Sequence, residues 1–207
     1  FGDENWNDCD NDRQRTELSS EPNQPISGKQ CYGYSIKLSN NFTDIRKVST
    51  TLGQIHQKGG PTGIANSLSS FPPLIQIDAR KGNLYLNWHK LSGSKNNVKD
   101  ESKYYKLKTL KSMKGVWTDI SLCLDFENKR IDAWVDGNNI VKILESPIFF
   151  EPKSIYFKHG IYQSFISNYT SFKGETPTQI VYYDEVRRGN SIEDVDINVN
   201  PDLKFVD

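Results

Sequence analysis

The sequence has one methionine and three cysteines among 207 residues, and no apolar run in it approaches the length that crosses a bilayer. Its formal net charge is zero, so no overall electrostatic field attracts nucleic acid or another polyanion. It also lacks the Cys and His spacing of a zinc site, a glycine-rich phosphate loop and a dinucleotide-binding fingerprint. These absences argue against nucleic acid and membrane partners, against a catalytic metal and against any required cofactor.

The composition is that of an ordinary globular protein, with 35% hydrophobic and 25% charged residues. Aromatic residues reach 12%, and they suit the half-buried surfaces of β-sheets better than helices. All-β chains of about this length commonly fold as one unit. We therefore expect a single domain over residues 1–207, acting as a monomer.

Short alternating runs, separated by clusters of Gly, Pro, Asn and Ser, predict a chain built from strands. The candidate strands are Tyr32–Leu38, Val48–His56, Leu74–Asp78, Asn83–Trp88, Tyr104–Leu110, Trp117–Phe126, Arg130–Val135, Asn139–Leu144, Ser154–Tyr162 and Gln179–Arg187. Asp136 and Gly137 between two of them are a hairpin signal. No stretch combines helical periodicity with both caps. The pattern predicts an all-β fold, a β-jelly roll or concanavalin A-like sandwich of two antiparallel sheets with a concave groove.

The charges are unevenly distributed along the chain. Seven acidic residues lie within residues 3–21, and eight lysines lie between Lys90 and Lys114. The lysine-rich stretch is either a solvated loop and strand or a rim that attracts a polyanion. Cys9 and Cys31 flank a polar segment and could pair, which would leave Cys123 inside an apolar strand. Such a pair would indicate an oxidising compartment, so a secreted or periplasmic protein is expected.

Three strand-like segments place polar side chains on one face, because residues two apart in a strand share a side. These groups are Arg13, Arg15 and Glu17; Gln54 and His56; and Tyr156, Lys158 and Tyr162. In the second segment Leu52 is expected to share the side of His56. In the third segment the opposite side is apolar and should be core, so the polar side is not needed for folding.

The same three segments resemble the signature blocks of jelly-roll polysaccharide lyases. The blocks are Arg15-Thr16-Glu17-Leu18, Gln54-Ile55-His56 and Tyr156-Phe157-Lys158-His159-Gly160-Ile161-Tyr162, in the order found in family 7 alginate lyases. Later segments resemble the glucuronan lyase and heparin-lyase-I-like group instead, among them Ala133-Trp134-Val135-Asp136-Gly137 and Tyr182-Tyr183-Asp184-Glu185-Val186. The chain departs from the alginate pattern at Ser19, where a basic residue is usual, and at Gln163, which directly follows Tyr162. The early blocks favour alginate as substrate, and the C-terminal half favours glucuronan.

The resemblance implies cleavage of a uronic-acid polymer by β-elimination, and the residues suit that chemistry. Elimination requires that the uronate carboxylate be neutralised, which Arg15 and Gln54 can do. His56 is a candidate base for the C5 proton, and Tyr162 a candidate acid for the O4 leaving group, with a pKa lowered by Lys158. Tyr162 could also serve as both base and acid, with His56 then orienting the substrate.

Further substrate-binding residues are expected around this group, namely Arg13, Glu17, Tyr156, Lys158 and Gln163. Other interpretations stay open, since Arg15 and Glu17 could form an ion pair and Tyr156 could pack in the core. His159 faces away from Lys158 and is expected to be structural, and His89 to lie on the surface.

Two other functions and one metal site also remain open. A non-catalytic carbohydrate-binding jelly roll would display aromatics, and a glycoside hydrolase would need a pair of carboxylates on one strand face. The Asp8-x-Asp10-x-Asp12 spacing is similar to the start of a calcium loop, although Arg13 stands where a Gly is required. Because related lyases often bind one, the resemblance allows a structural calcium ion away from the groove.

Overall fold

A computed structural model describes residues 8, 12–20, 24–45, 48–58, 72–94, 97–169 and 175–205, and the elements below are those of the described residues. The strands are β1 Arg13–Ser19, β2 Lys29–Leu38, β3 Thr50–Lys58, β4 Ile75–Arg80, β5 Asn83–Trp88, β6 Leu91–Ser94, β7 Asn97–Asp100, β8 Lys103–Thr109, β9 Thr118–Asp125, β10 Arg130–Val135, β11 Asn138–Ile143, β12 Ser154–Ser164 and β13 Val181–Gly189. The helical elements are short: α1 Leu110–Met113 and two 3-10 helices, Ile192–Asp194 and Pro201–Phe205. No helix in these ranges has the length and hydrophobicity needed to cross a bilayer.

Two antiparallel sheets make up most of the fold. One has six strands in the order β1-β12-β3-β4-β5-β8, and the other has five in the order β11-β10-β9-β2-β13. Strands β6 and β7 form a separate small ribbon. The predicted all-β jelly-roll fold with two antiparallel sheets is confirmed. The hairpin predicted at Asp136 and Gly137 joins β10 to β11, and both residues have the positive φ that such a turn requires.

The core lies between the two sheets, where alternate residues of each strand meet. The six-stranded sheet contributes buried side chains such as Ile77 and Leu86, and the five-stranded sheet contributes Tyr34 and Leu122. Tyr34 packs against Phe157 of β12 with ring centroids 5.5 Å apart. Since the inner face of the six-stranded sheet is mainly apolar, most polar side chains of this sheet point to the other side.

A bulge in β3 changes the side to which Leu52 points. The pairing of β3 with β4 shifts between Thr51 and Gly53, and Leu52 is fully buried in the core together with Ile55. The expectation that Leu52 shares the side of His56 is therefore wrong, because simple alternation does not pass through a bulge. Gly53 faces Tyr34 closely, and a Cβ at this position would lie 2.4 Å from the Tyr34 hydroxyl oxygen.

The disulfide bond differs from the expected one. Cys31 is bonded to Cys123, which stands directly opposite it in the pairing of β2 with β9. Val195 covers the pair on the outer side of the five-stranded sheet, in a cluster separate from the main core. The expected bond between Cys9 and Cys31 is thus wrong, because adjacent strands bring residues far apart in sequence side by side. Cys9 itself lies outside the described residues.

Candidate active site

The six-stranded sheet carries two rows of polar side chains on the side away from the core. Residues directly opposite each other in neighbouring strands share a face, so the strand register defines each row. One row is Ser19, Lys158, Gln54, Gln76, Asn87 and Tyr104. The other is Arg15, Tyr162, Thr51, Asp78, Tyr85 and Lys106. We call this side, with Arg13, Glu17, His56, Tyr156 and Arg80 in addition, the polar face.

His56 stands on the polar face opposite Tyr156. The two rings are stacked, with centroids 5.3 Å apart and an angle of 20° between their planes. Nδ1 of His56 lies 2.9 Å from both the backbone oxygen and nitrogen of Gln57. Burial lowers the pKa of His56 to about 4, with the cationic Lys158 acting in the same direction. The imidazole is therefore neutral at neutral pH, the state that can accept a proton.

Tyr162 lies between Arg15 of β1 and Thr51 of β3. Burial raises the pKa of Tyr162, while the charges of Arg13 and Arg15 lower it by less. The expected lowering of this pKa beside Lys158 is therefore wrong, because desolvation of the phenolate outweighs the neighbouring cations. At neutral pH the phenol is protonated and able to donate.

Arg15 holds a carboxylate in the fork of its guanidinium group. Nε donates to Oδ2 of Asp8 at 2.9 Å, and Nη2 donates to Oδ1 at 2.8 Å. The charge of Arg15 also contributes to lowering the pKa of both His56 and Tyr162, so the guanidinium lies near both groups. The fork geometry is the one that binds carboxylates in general.

Glu17 belongs to the first sequence block and contacts one residue of the second block and one of the third. Its side chain is almost fully buried, and Oε1 accepts a hydrogen bond of 2.5 Å from Nε2 of Gln54. Nζ of Lys158 lies 3.6 Å from Oε2 of Glu17 and 5.7 Å from the centroid of Tyr156. Oε1 of Gln54 is buried without a partner among the described residues. Arg15 pairs with Asp8, and Glu17 lies beside Lys158. Arg15 and Glu17 therefore do not form an ion pair with each other.

One glutamine and one histidine in this region do not belong to the polar face. Gln163 is only 4% exposed, stands opposite Thr50, and donates from Nε2 to Oε1 of Gln179 at 2.6 Å. It points to the side opposite that of Tyr162, so its expected place among the substrate-binding residues is wrong. His159 stacks on Phe157 and lies 5.4 Å from the ring of Tyr183, as expected for a structural residue.

A hydrogen-bonded chain continues the polar face beyond the residues predicted from the sequence. Asp78 accepts from Thr51 Oγ1 at 2.7 Å, and Thr51 in turn accepts from Gln76 Nε2 at 3.0 Å. Gln76 Oε1 lies 2.7 Å from Nε2 of His89, whose Nδ1 is 2.7 Å from Asp100. Burial raises the pKa of Asp78. The sequence signal for these hydrogen-bonded residues is the alternation of Ile75, Ile77 and Ala79 with polar residues. This alternation places the polar residues on the same face as Gln54.

The described residues do not form a metal site. They contain no group of three or more His, Cys, Asp or Glu side chains that could hold an ion. Asp8 binds Arg15, and the carboxylate of Asp12 accepts from the backbone nitrogen and hydroxyl of Ser167, both at 2.7 Å. Asp10 lies outside the described residues. The two described carboxylates of the calcium-like spacing are thus already used by protein donors, and they do not fit a calcium ion.

Comparison with known proteins gives a consistent picture. Residues 2–187 match the family model described as polysaccharide lyase. No curated protein matches the sequence. The fold is similar to that of an endo-β-1,4-glucuronan lyase from the fungus Trichoderma reesei, with a TM-score of 0.68 and 20% identity over 90% of this chain and 78% of that chain.

Two alginate lyases also share the fold. The first is from Pseudomonas aeruginosa, with a TM-score of 0.56 and 15% identity over 86% of this chain and 74% of that chain. The second is alginate lyase AlyC3, with a TM-score of 0.58 and 16% identity over 86% of this chain and 72% of that chain. At these identities the likeness to solved structures shows the fold alone.

Proposed function

Because the chain belongs to the polysaccharide lyase family, we propose that it cleaves a uronic-acid polymer, alginate or glucuronan, within the polymer chain by β-elimination. The observation that carries this proposal is the presence of a carboxylate-binding Arg15, a neutral His56 and a protonated Tyr162 on one face of one sheet. These are the three functions that elimination next to a carboxylate requires.

Arg15 and Gln54 neutralise the carboxylate of the uronate whose C5 proton is removed. The substrate carboxylate takes the place of Asp8 in the guanidinium fork, with the same two-bond geometry. Gln54 has two amide hydrogens, and one of them is held by Glu17. We assign the other to the substrate carboxylate. Neutralisation stabilises the negative charge that develops towards the enolate.

His56 and Tyr162 then move the protons. The imidazole of His56 accepts the C5 proton, the electrons of the C–H bond form the C4–C5 double bond, and the C4–O4 bond breaks. The phenol of Tyr162 donates its proton to O4 of the leaving sugar. Tyr162 pairs with Thr51 across the two strands, and His56 pairs with Tyr156. The acid and the base therefore lie on opposite sides of the paired residues Gln54 and Lys158. A raised pKa favours Tyr162 as acid over Tyr162 as base.

The remaining cations of the polar face support an acidic polymer as substrate. Arg13 lies beyond Tyr162 along β1, and Lys158 lies beside Gln54 between the base and the acid. Glu17 is negatively charged and buried against Lys158, so it positions Lys158 and Gln54 rather than contacting an anionic sugar. This assigns Glu17 a supporting role in place of the direct substrate contact expected from the sequence.

The experiment is incubation with purified mannuronate-rich alginate, guluronate-rich alginate and glucuronan. A lyase produces 4,5-unsaturated uronate ends, whose ultraviolet absorbance grows with each cleavage, and internal cleavage lowers the viscosity at an early stage. The polymer that gives the highest kcat/KM identifies the substrate. Reducing ends without absorbance would indicate hydrolysis, and binding without either signal would indicate a carbohydrate-binding module. Both results would contradict the proposal.

A secreted or periplasmic location and a monomeric state are part of the same proposal. The Cys31–Cys123 disulfide supports the location, because such bonds persist in oxidising compartments. Fractionation of cells that produce the full-length protein tests the location, and light scattering of the purified protein tests the oligomeric state.

A further inference from the structure

We propose that Arg80, Tyr85, Tyr104 and Lys106 form a second binding subsite for a uronate unit, distant from the bond that is cleaved. This inference rests on the proposed function and extends it to the far side of the polar face. Tyr104 and Lys106 belong to β8, the edge strand that the lysine-rich stretch supplies. The proposed reaction centre uses none of these residues.

An arginine and an aromatic ring are held together at this edge. Cζ of Arg80 lies 4.9 Å from the ring centroid of Tyr104, in a cation–π contact. The ring of Tyr85 meets that of Tyr104 at 90°, with centroids 6.2 Å apart, which restrains both rings. Tyr104 nevertheless remains 43% exposed. A restrained, exposed ring is a surface on which the apolar face of a sugar can pack.

The guanidinium group of Arg80 is available for a carboxylate. Within the described part of the chain it makes no hydrogen bond or ion pair, and stacking on a ring leaves the N–H groups at its edge free. Asp78 interacts electrostatically with Arg80, but its carboxylate is buried and already accepts from Thr51 and Asn87. An arginine beside an exposed tyrosine offers both contacts that a uronate needs, one for its carboxylate and one for its ring.

Lys106 adds a second cation on the same face. It stands opposite Tyr85, two residues beyond Tyr104, and it is exposed. In contrast, two other lysines of the stretch, Lys90 and Lys103, are paired with Glu145. Across the described ranges Lys106 has no such partner. The two unpaired cations at this edge therefore make it positively charged where the polymer would leave the sheet.

The distance from the reaction centre sets the length of substrate that can use this subsite. Tyr162 is on the second strand of the sheet and Tyr104 on the sixth, so four strand spacings of ~4.8 Å separate them, or about 19 Å. This distance is several times the length of one sugar ring. Short oligomers that fill the reaction centre cannot reach Tyr104, whereas the polymer can.

The test compares wild-type protein with Tyr104→Ala and Arg80→Ala on uronate oligomers of increasing length and on polymer. We expect kcat/KM of the wild type to rise with length, and the variants to lose about tenfold on polymer, mainly in KM, while short oligomers are cleaved as before. The matched control is Tyr182→Ala, since Tyr182 is similarly exposed at 49% but lies on the five-stranded sheet. Equal losses on short and long substrates, or no loss on polymer, would overturn the subsite.

A binding measurement separates this subsite from the reaction itself. Affinity electrophoresis in gels containing alginate or glucuronan is carried out with Tyr162→Phe, which should bind without cleaving, and with Tyr162→Phe combined with Tyr104→Ala. Weaker retardation of the double variant supports the subsite. Equal retardation refutes it and leaves the proposed function intact. A wild-type protein that neither binds nor cleaves any of the polymers would contradict both proposals.

Discussion

The carboxylate of Asp8 occupies the guanidinium fork of Arg15, with each of its two oxygens accepting one hydrogen bond. A substrate carboxylate that binds Arg15 must displace this internal one. We expect Asp8→Asn to lower KM several-fold with little change in kcat, because the competing charge is removed while the shape is kept. Steady-state kinetics on the preferred polymer check this. An increase in KM would show instead that Asp8 is needed to orient Arg15.

Replacement of Tyr162 by Phe tests the proton donor. Removing one hydroxyl from the polar face should reduce kcat by ~10²–10⁴-fold, the usual magnitude for a general acid or base, with the fold preserved. Growth of ultraviolet absorbance gives the rate, and circular dichroism gives the fold. Tyr182→Phe is the matched control, since Tyr182 lies on the five-stranded sheet, away from the polar face. Full activity of Tyr162→Phe would refute the assigned role.

The pH dependence of kcat/KM should reflect the lowered pKa of His56. With this pKa at about 4, the base is already neutral in mildly acidic solution, so the acidic limb of the profile should fall near pH 4 rather than near 6.5. The raised pKa of Tyr162 places loss of the acid on the far alkaline side. An acidic limb near 6.5 would indicate a solvated His56 and would contradict the buried geometry.

Stability should also depend on pH through His56. Its pKa is lower in the folded protein, about 4, than the ordinary value of 6.5, so between these values the unfolded chain binds the proton more strongly. Stability is unaffected above about pH 6.5 and declines as the pH falls towards 4, by at most about 3 kcal/mol from this group. Urea unfolding at several pH values should show a smaller decline for His56→Gln than for Tyr162→Phe, which keeps the imidazole. Equal declines in the two variants would show that His56 does not cause the pH dependence of stability.

The Cys31–Cys123 bond should matter for stability and not for catalysis. It closes a loop of 92 residues, for which chain entropy predicts a loss of about 4–5 kcal/mol on removal. The bond lies on the outer side of the five-stranded sheet, away from the polar face. We expect the double Cys→Ala variant to unfold at lower denaturant concentration while kcat/KM is retained. A selective loss of activity in folded protein would contradict this separation.

Glu17 offers a test of positioning. Glu17→Ala should reduce kcat by about tenfold, because Gln54 and Lys158 lose the carboxylate that holds them. Glu17→Gln keeps an oxygen acceptor for Gln54 and should restore part of the rate. The acidic limb of the pH profile is the second readout, since a displaced Lys158 changes the electrostatic environment of His56. A loss that Gln does not relieve, with an unchanged profile, would indicate a purely structural role.

Much of the strand pattern was predictable because alternation in the sequence reports directly which face of a strand is buried. Asn83–Trp88 and Arg130–Val135 were predicted with the bounds that the structure shows, whereas β6 and β7 were missed. Those two strands have four residues each and little apolar alternation, so they carry no periodic signal. Leu52 was assigned to the wrong face because a bulge reverses the alternation locally.

The sequence by itself determined the fold class and the residue types that share a strand face, such as Gln54 with His56, because side chains alternate with a period of two. It could not determine which strands become neighbours. Only the tertiary structure decided that Cys31 meets Cys123, that Asp8 fills the fork of Arg15, and that Gln163 turns away from the polar face. It also decided that burial raises the pKa of Tyr162 instead of lowering it, so the phenol is protonated at neutral pH. The reason is that partner choice and desolvation depend on contacts between segments far apart in the chain, and local patterns carry no record of those contacts.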